Sequence, residues 1–121
     1  MTVDHARNVG RPVLVIGEDG EYFYYLTLTS QVPGKKIASF HRMIDSEYDF
    51  LKPSYVNLKN IYRHEIFGYE EYGQLMEDDM LNIVDDLIKY QTSHTSDEYF
   101  QELLPIMKKN LEKYQGKQKI K

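Results

Sequence analysis

The stretch GRPVLVIGEDGEYFYYLTLTSQ, residues 10–31, decides the fold of this chain. Two runs of strand-forming residues flank the pair Asp19-Gly20, which supplies the positive φ angles that a tight hairpin turn needs. In an antiparallel hairpin, the start of one strand lies beside the end of the next. The sequence therefore predicts that Arg11 and Thr29 are neighbours in space.

The predicted open end of this hairpin carries residue types that suit a phosphate group. The guanidinium of Arg11 can donate two parallel hydrogen bonds to phosphate oxygens. The hydroxyls of Thr29 and Ser30 can donate further hydrogen bonds to the same group. The alternative for each of these residues is an ordinary solvent-facing position on a strand.

Further short strands are predicted after the hairpin, over residues 37–44, 54–58 and 61–64, with a loop over 46–53. Four or five short strands followed by helices indicate an α+β fold with a small, strongly curved antiparallel sheet. An SH3-like barrel is the natural small solution for such a sheet.

The hydrophobic period changes after residue 67. Apolar residues at helical spacing predict an amphipathic helix over 72–90 and a second helix over 96–115. Pro105 is expected to kink or split the second helix. We expect a single domain, with a β-barrel part over 1–67 and a helical part over 68–121.

Composition limits the kinds of function. The chain has 121 residues and no cysteine, which excludes a disulfide framework, a thiol nucleophile and any cysteine-containing metal site. The four histidines show no ligand spacing, so neither a metal nor another cofactor is expected. No apolar run is long enough for a signal sequence or a membrane span. A cytoplasmic protein without membrane partners is the expectation.

The net charge of −4 is unevenly distributed. Residues 1–64 carry eight Lys/Arg and seven Asp/Glu, whereas residues 65–107 carry one and eleven. Residues 108–121 carry six Lys and one Glu. Nucleic-acid-binding domains are usually basic, so the total charge argues mildly against such a partner. The near-neutral first part, which contains the hairpin, does not.

Two runs in the hairpin resemble a known family. The run GRPVLVI at 10–16 resembles the strand "G-x-R-P-V/A-V/L-V/I" of the MazF/PemK/Kid toxins of type II toxin–antitoxin systems. The run LTLTSQ at 26–31 resembles the family's "V/L-P-L/V-T-S/T" strand at similar spacing. His5 lies in a segment similar to the family's preceding loop. The helix predicted over 72–90 is similar in placement to the family's helix after the barrel.

The resemblance implies a homodimeric, metal-independent endoribonuclease that cuts single-stranded mRNA, arrests growth and is neutralised by a cognate antitoxin protein. By the same resemblance, Arg11 matches the arginine that holds the phosphate, Thr29 the active-site threonine, and Ser30 its neighbour. The catalytic candidates are Arg11, Thr29, Ser30 and His5. The candidates for RNA binding are Arg11, Gln31, Lys35, Lys36 and Tyr24.

Three departures from the family pattern keep other functions open. The chain starts inside the family's first loop, so either the family's first strand is missing or another segment replaces it. The later Arg-Asp pair has no counterpart, and Lys59 and Arg63 are only loose substitutes. The second helix is an extension. These departures favour two alternatives, namely a non-catalytic toxin of the gyrase-poison type on the same barrel, or an inactive, degenerate member.

Overall fold

The fold is α+β. The computed structural model describes the backbone of residues 2–6, 11–29, 40–44, 46–65 and 71–119, and the side chains of residues 12–29, 40–44, 46–65 and 73–110. Within these residues the chain forms seven strands and two helices. They are β1 (Thr2–Ala6), β2 (Arg11–Glu18), β3 (Tyr22–Thr29), β4 (His41–Met43), β5 (Tyr55–Asn57), β6 (Tyr62–Glu65), β7 (Glu71–Gln74), α1 (Glu77–Ser93) and α2 (Phe100–Lys119).

The strands form one antiparallel sheet in the order β4-β5-β3-β2-β1-β7, with β6 also paired to β3. The predicted fold class, an antiparallel sheet followed by helices, is confirmed. Among the described residues no pairing joins the outer strands β4 and β7. The closed SH3-like barrel therefore stays a prediction.

The hairpin of β2 and β3 is present as predicted. Gly20 has a φ angle of 98°, in the left-handed region that glycine adopts without strain. Asp19 Oδ1 accepts hydrogen bonds from the backbone amides of Glu21 and Tyr22, at 3.0 and 2.8 Å. The aspartate thus satisfies turn amides that lack a strand partner, which is why this residue type favours turns.

Strands β5 and β6 lie one after the other along the same edge of β3. Leu28 of β3 is paired with Val56 of β5, and Tyr25 of β3 is paired with Tyr62 of β6. The two positions are three residues apart on β3 but six residues apart on the partner segment. Three extra residues therefore bulge out between β5 and β6, and such a bulge bends a sheet. Asn57 Oδ1 supports the bulge by accepting hydrogen bonds from the backbone amides of Lys59 and Asn60.

Both helices pack on one face of the sheet. The apolar sides of α1 and α2 meet side chains that alternate along β2, β3 and β5, as a pleated strand requires. The fully buried members of this core include Leu14, Ile16, Leu26, Val56, Ile83, Leu87, Phe100, Leu103 and Met107.

A strand does precede β2, because Thr2–Ala6 form β1 and Val3–Ala6 of it pair with β2. The expectation that no strand is present there is therefore wrong. The helix predicted over 72–90 begins later, at Glu77. Residues 71–74 instead form β7, which pairs with β1. Gly73 fits there because its Cα lies against the ring of Phe50, so that a Cβ would come within 2.7 Å. Strand pairing thus overrides the helical period at this point.

The start of α1 is held by a side chain from a distant loop. The hydroxyl of Tyr48 accepts a hydrogen bond from the amide of Met76 at 2.9 Å and donates one to the buried carboxylate of Asp79. Helix α2 runs unbroken through Pro105, so the predicted split does not occur.

Candidate functional site

The register of the sheet agrees with the predicted proximity of Arg11 and Thr29. Val13 of β2 is paired with Thr27 of β3, and each strand extends two residues further in the direction of the open end. The pairing of the two strands ends at Val13 and Thr27, and continuing its register by two residues would place Arg11 opposite Thr29. On the far side of β3, Thr29 is itself paired with Tyr55 of β5.

These positions belong to a row that crosses five strands. Arg11 is paired with Ala6 of β1, and Tyr55 is paired with Met43 of β4. Residues directly opposite one another in an antiparallel sheet share a face. We call this set the Arg11 row, and it consists of Ala6, Arg11, Thr29, Tyr55 and Met43.

The Arg11 row lies on the face of the sheet that points away from the helices. Leu28 and Val56, the neighbours of Thr29 and Tyr55, are buried in the core at 6% and 0% exposure. Arg42, the neighbour of Met43, forms an ion pair with Asp86 of α1. Since successive residues of a strand point to opposite faces, the row occupies the other face.

His5 does not belong to this row. It lies within β1, not in the predicted loop, and is paired with Pro12. That pair is directly adjacent, along the two strands, to the pair of Ala6 and Arg11 that belongs to the row. Because strand positions alternate, His5 takes a position on the opposite face from Arg11.

Four further predicted site residues fall where the structure gives no description. They are Ser30, Gln31, Lys35 and Lys36, which lie outside the described residues. By sequence they follow Thr29 directly, in the connection from β3 to β4.

Tyr24 is a structural residue, and its predicted role in binding RNA is wrong. Its side chain is 1% exposed, so its ring offers no free face to a base. The hydroxyl lies 3.0 Å from Glu102 Oε2 and 3.2 Å from Asp19 Oδ2. Burial, with these two carboxylates, raises the pKa of Tyr24 to about 12. The side chain therefore remains a hydrogen-bond donor at neutral pH.

The two loose substitutes for the family's Arg-Asp pair make their contacts with residues outside the Arg11 row. Arg63 donates a hydrogen bond to Glu102 at 2.9 Å, and its guanidinium lies over the rings of Tyr22 and Tyr99. Lys59 Nζ lies 5.4 Å from the centre of the Phe40 ring. Both cations thus make intramolecular contacts with aromatic rings.

The structure adds three residues that the sequence did not single out. Tyr55 and Met43 belong to the Arg11 row, and Met43 is 49% exposed. His41 lies two residues before Met43 and is paired with Asn57. Its Nδ1 is buried without a hydrogen-bond partner among the described residues. Strands of three residues carry too little pattern to fix their register from sequence, so the part of the row on β4 and β5 was not predictable.

A cavity of about 430 Å³ adjoins the end of the row. The loop between β4 and β5 surrounds it, beginning at Ile44 after Met43 and ending at Ser54 before Tyr55. Its lining is mixed, with a tyrosine, two carboxylates and a lysine among mostly small and apolar groups. The lining residues are Ile44, Ser46, Glu47, Tyr48, Asp49, Leu51, Lys52, Pro53 and Ser54.

Comparison with known proteins returned no match, either to a family model or to a curated protein. Within the described residues, no three His, Cys, Asp or Glu side chains come together in a way that could hold a metal ion. Of the described helices, none has the length and apolar character needed to cross a membrane.

Proposed function

We propose that this chain is an endoribonuclease of the MazF/PemK/Kid type, the toxin of a toxin–antitoxin pair. In this proposal it cuts single-stranded RNA without a metal, acts in the cytoplasm as a homodimer on an SH3-like barrel, and is neutralised by a cognate antitoxin. The observation that supports the proposal is the register of β2 against β3, which, continued two residues beyond the pair Val13 and Thr27, brings Arg11 opposite Thr29 at the end of the motif-bearing hairpin.

The chemistry needs few groups. The 2′-hydroxyl of RNA attacks the adjacent phosphorus, forming a 2′,3′-cyclic phosphate while the bond from phosphorus to the 5′-oxygen breaks. A base takes the proton of the 2′-hydroxyl, and an acid gives a proton to the leaving oxygen. The negative charge that builds up on the phosphoryl oxygens must be stabilised.

The predicted residues can supply that stabilisation. Arg11 can donate two hydrogen bonds to the phosphoryl oxygens, and the hydroxyl of Thr29 can donate a third. Ser30, the next residue along the chain, can assist. Arg11 carries a permanent positive charge, so it would act across the physiological pH range.

Two features of the fold also support the proposal. Strand β1 lies beside β2, so the sheet contains a strand at the place where the sequence left one in doubt. The acidic helix α1 lies on the other face of the sheet from the Arg11 row. A polyanion bound at the row would therefore avoid the side chains of Glu77, Asp78 and Asp85, which belong to α1.

Induced expression tests the proposal. Wild type, Arg11→Ala and a control, Lys89→Ala, would be expressed side by side while growth and new RNA ends are followed, the latter by primer extension. Lys89 is an exposed residue of α1 whose ammonium pairs with Asp85. We expect growth arrest with new RNA ends for wild type and the control only. Intact RNA in all three cultures would overturn the proposal.

A second candidate function is a non-catalytic toxin that binds DNA gyrase. The observation that favours it is the placement of Arg63 and Lys59, which contact Glu102 and aromatic rings instead of the row. Growth arrest with intact RNA and altered DNA supercoiling would identify this function. The alternative of an inactive, degenerate domain was favoured by an expected missing first strand. Because β1 is present, that reason no longer supports it.

A further inference from the structure

The position of Tyr55 relative to Thr29 points to a role for Tyr55 itself. The two residues are directly paired across β3 and β5. Cβ atoms of such a pair are about 5 Å apart. A phosphate held by Arg11 and Thr29 would therefore have the side chain of Tyr55 beside it, within reach of the nucleoside attached to that phosphate.

Tyr55 also differs from the other tyrosines whose side chains the structure describes. Each of the others has its hydroxyl or its ring engaged by a neighbour. Tyr55 has neither a hydrogen bond nor a ring contact with another described residue, and it is only half-buried. The engaged tyrosines are Tyr22, Tyr24, Tyr25, Tyr48, Tyr62, Tyr90 and Tyr99.

The groups around Tyr55 suit a nucleobase. Met43, its partner on β4, is 49% exposed and apolar, and a thioether packs well against aromatic rings. His41, two residues from Met43 on the same strand, has an unpartnered Nδ1 within the described part of the chain. A flat aromatic ring would pack against the exposed Met43 side chain, whereas the buried Nδ1 of His41 is not open to it.

We infer that Tyr55 stacks on the base next to the phosphate bound by Arg11 and Thr29. This inference rests on the proposed function, because it takes the bound molecule to be single-stranded nucleic acid. Tyrosine rings stack on unpaired bases without needing a particular sequence, since every base has a π-face. Tyr55 is thus a positioning residue that orients the nucleotide, with Met43 covering one side.

The absence of tryptophan from the chain makes a direct test possible. Tyr55→Trp introduces a single indole at this position. The probe is a mixed-sequence single-stranded oligonucleotide carrying 2′-O-methyl groups, which has no nucleophile for its own cleavage. We expect saturable quenching of the indole fluorescence as the oligonucleotide is added.

The matched control is Tyr90→Trp. Tyr90 lies on α1, on the other side of the sheet, where its ring stacks on His94 at 4.0 Å. Its indole should keep its fluorescence at the same oligonucleotide concentration. Binding should also be measured for two variants that carry no tryptophan, by the fluorescence anisotropy of a labelled oligonucleotide. Tyr55→Phe keeps the ring and should bind within about twofold of wild type, whereas Tyr55→Leu should bind about tenfold or more weakly.

The outcomes separate this inference from the proposed function. If wild type cuts RNA but Tyr55→Trp is not quenched and Tyr55→Leu binds normally, the inference fails and the proposed function stands. If the indole is quenched but no RNA is cut, Tyr55 contacts nucleic acid and the proposed catalysis fails. If the indole signal changes with protein concentration and not with oligonucleotide, Tyr55 lies between two copies of the chain and the inference is overturned.

Discussion

The hydroxyl of Tyr24 on β3 lies 3.0 Å from Glu102 Oε2 on α2. The same carboxylate oxygen accepts a hydrogen bond from Arg63 on β6 at 2.9 Å. Asp19 Oδ2, in the hairpin turn, lies 3.2 Å from the Tyr24 hydroxyl on its other side. One buried tyrosine therefore connects the hairpin turn to the second helix and, through Glu102, to β6.

Replacing Tyr24 by phenylalanine should destabilise the protein. The change removes a hydroxyl that is shared by two carboxylates and keeps the buried ring. We expect a loss of about 1 kcal/mol in the free energy of unfolding, the usual net value for such a hydrogen bond. The measurement is the midpoint of urea unfolding. Tyr22→Phe is the control, because its ring contact with Arg63 survives the change.

Equal midpoints for wild type and Tyr24→Phe would contradict this role of the Tyr24 hydroxyl. A similar loss in the Tyr22→Phe control would also contradict it, since the effect would then follow from any change in this aromatic run.

The turn carboxylate should make stability depend on pH. Hydrogen bonds from the amides of Tyr22 and Glu21 hold the pKa of Asp19 below its ordinary value of 3.8. A carboxylate whose pKa is lowered by folding stabilises the fold above its unfolded pKa, and this contribution is lost as the pH falls through the lowered value. Wild type should therefore exceed Asp19→Asn in stability by more at about pH 7 than at about pH 3.

The measurement is the unfolding midpoint of both proteins at the two pH values. Glu21→Gln is the control, since it removes a neighbouring charge and leaves the amide of residue 21 available to the turn. If the unfolding midpoints of wild type and Asp19→Asn differ by the same amount at both pH values, ionisation of Asp19 does not contribute to stability.

The buried side chain of Gln91 should contribute strongly to the free energy of unfolding. It is completely buried and donates hydrogen bonds to the carbonyl groups of Leu58 and Lys59, at 2.8 and 3.1 Å. Its side-chain oxygen accepts a hydrogen bond from the backbone amide of Asp97 at 2.6 Å. Gln91→Leu would leave these backbone groups unpaired, so we expect a loss of about 3 kcal/mol.

Thermal unfolding would measure this loss, with Gln101→Leu, an exposed change on α2, as the control. A Gln91→Leu protein as stable as wild type would show that the bulge between β5 and β6 does not depend on this side chain.

The sequence predicts the parts of the fold that depend on local chemistry. The Asp19-Gly20 turn was predictable because few residue types adopt its backbone angles. The strand at 71–74 was not, because its partner β1 is about seventy residues away and its apolar spacing also fits a helix. Among four consecutive aromatic residues, the sequence could not tell which face would be buried. Tyr24 therefore entered the predicted site wrongly, and Tyr55 was overlooked.

The proposed cleavage of RNA at the end of the hairpin is best tested with purified protein. Wild type, Arg11→Ala and Lys89→Ala would be incubated with mixed-sequence single-stranded RNA in the presence of a metal chelator. We expect fragments ending in 2′,3′-cyclic phosphates from wild type and Lys89→Ala, and a rate roughly a hundredfold or more lower for Arg11→Ala. RNA that stays intact with wild type, or equal cleavage by Arg11→Ala, would contradict it.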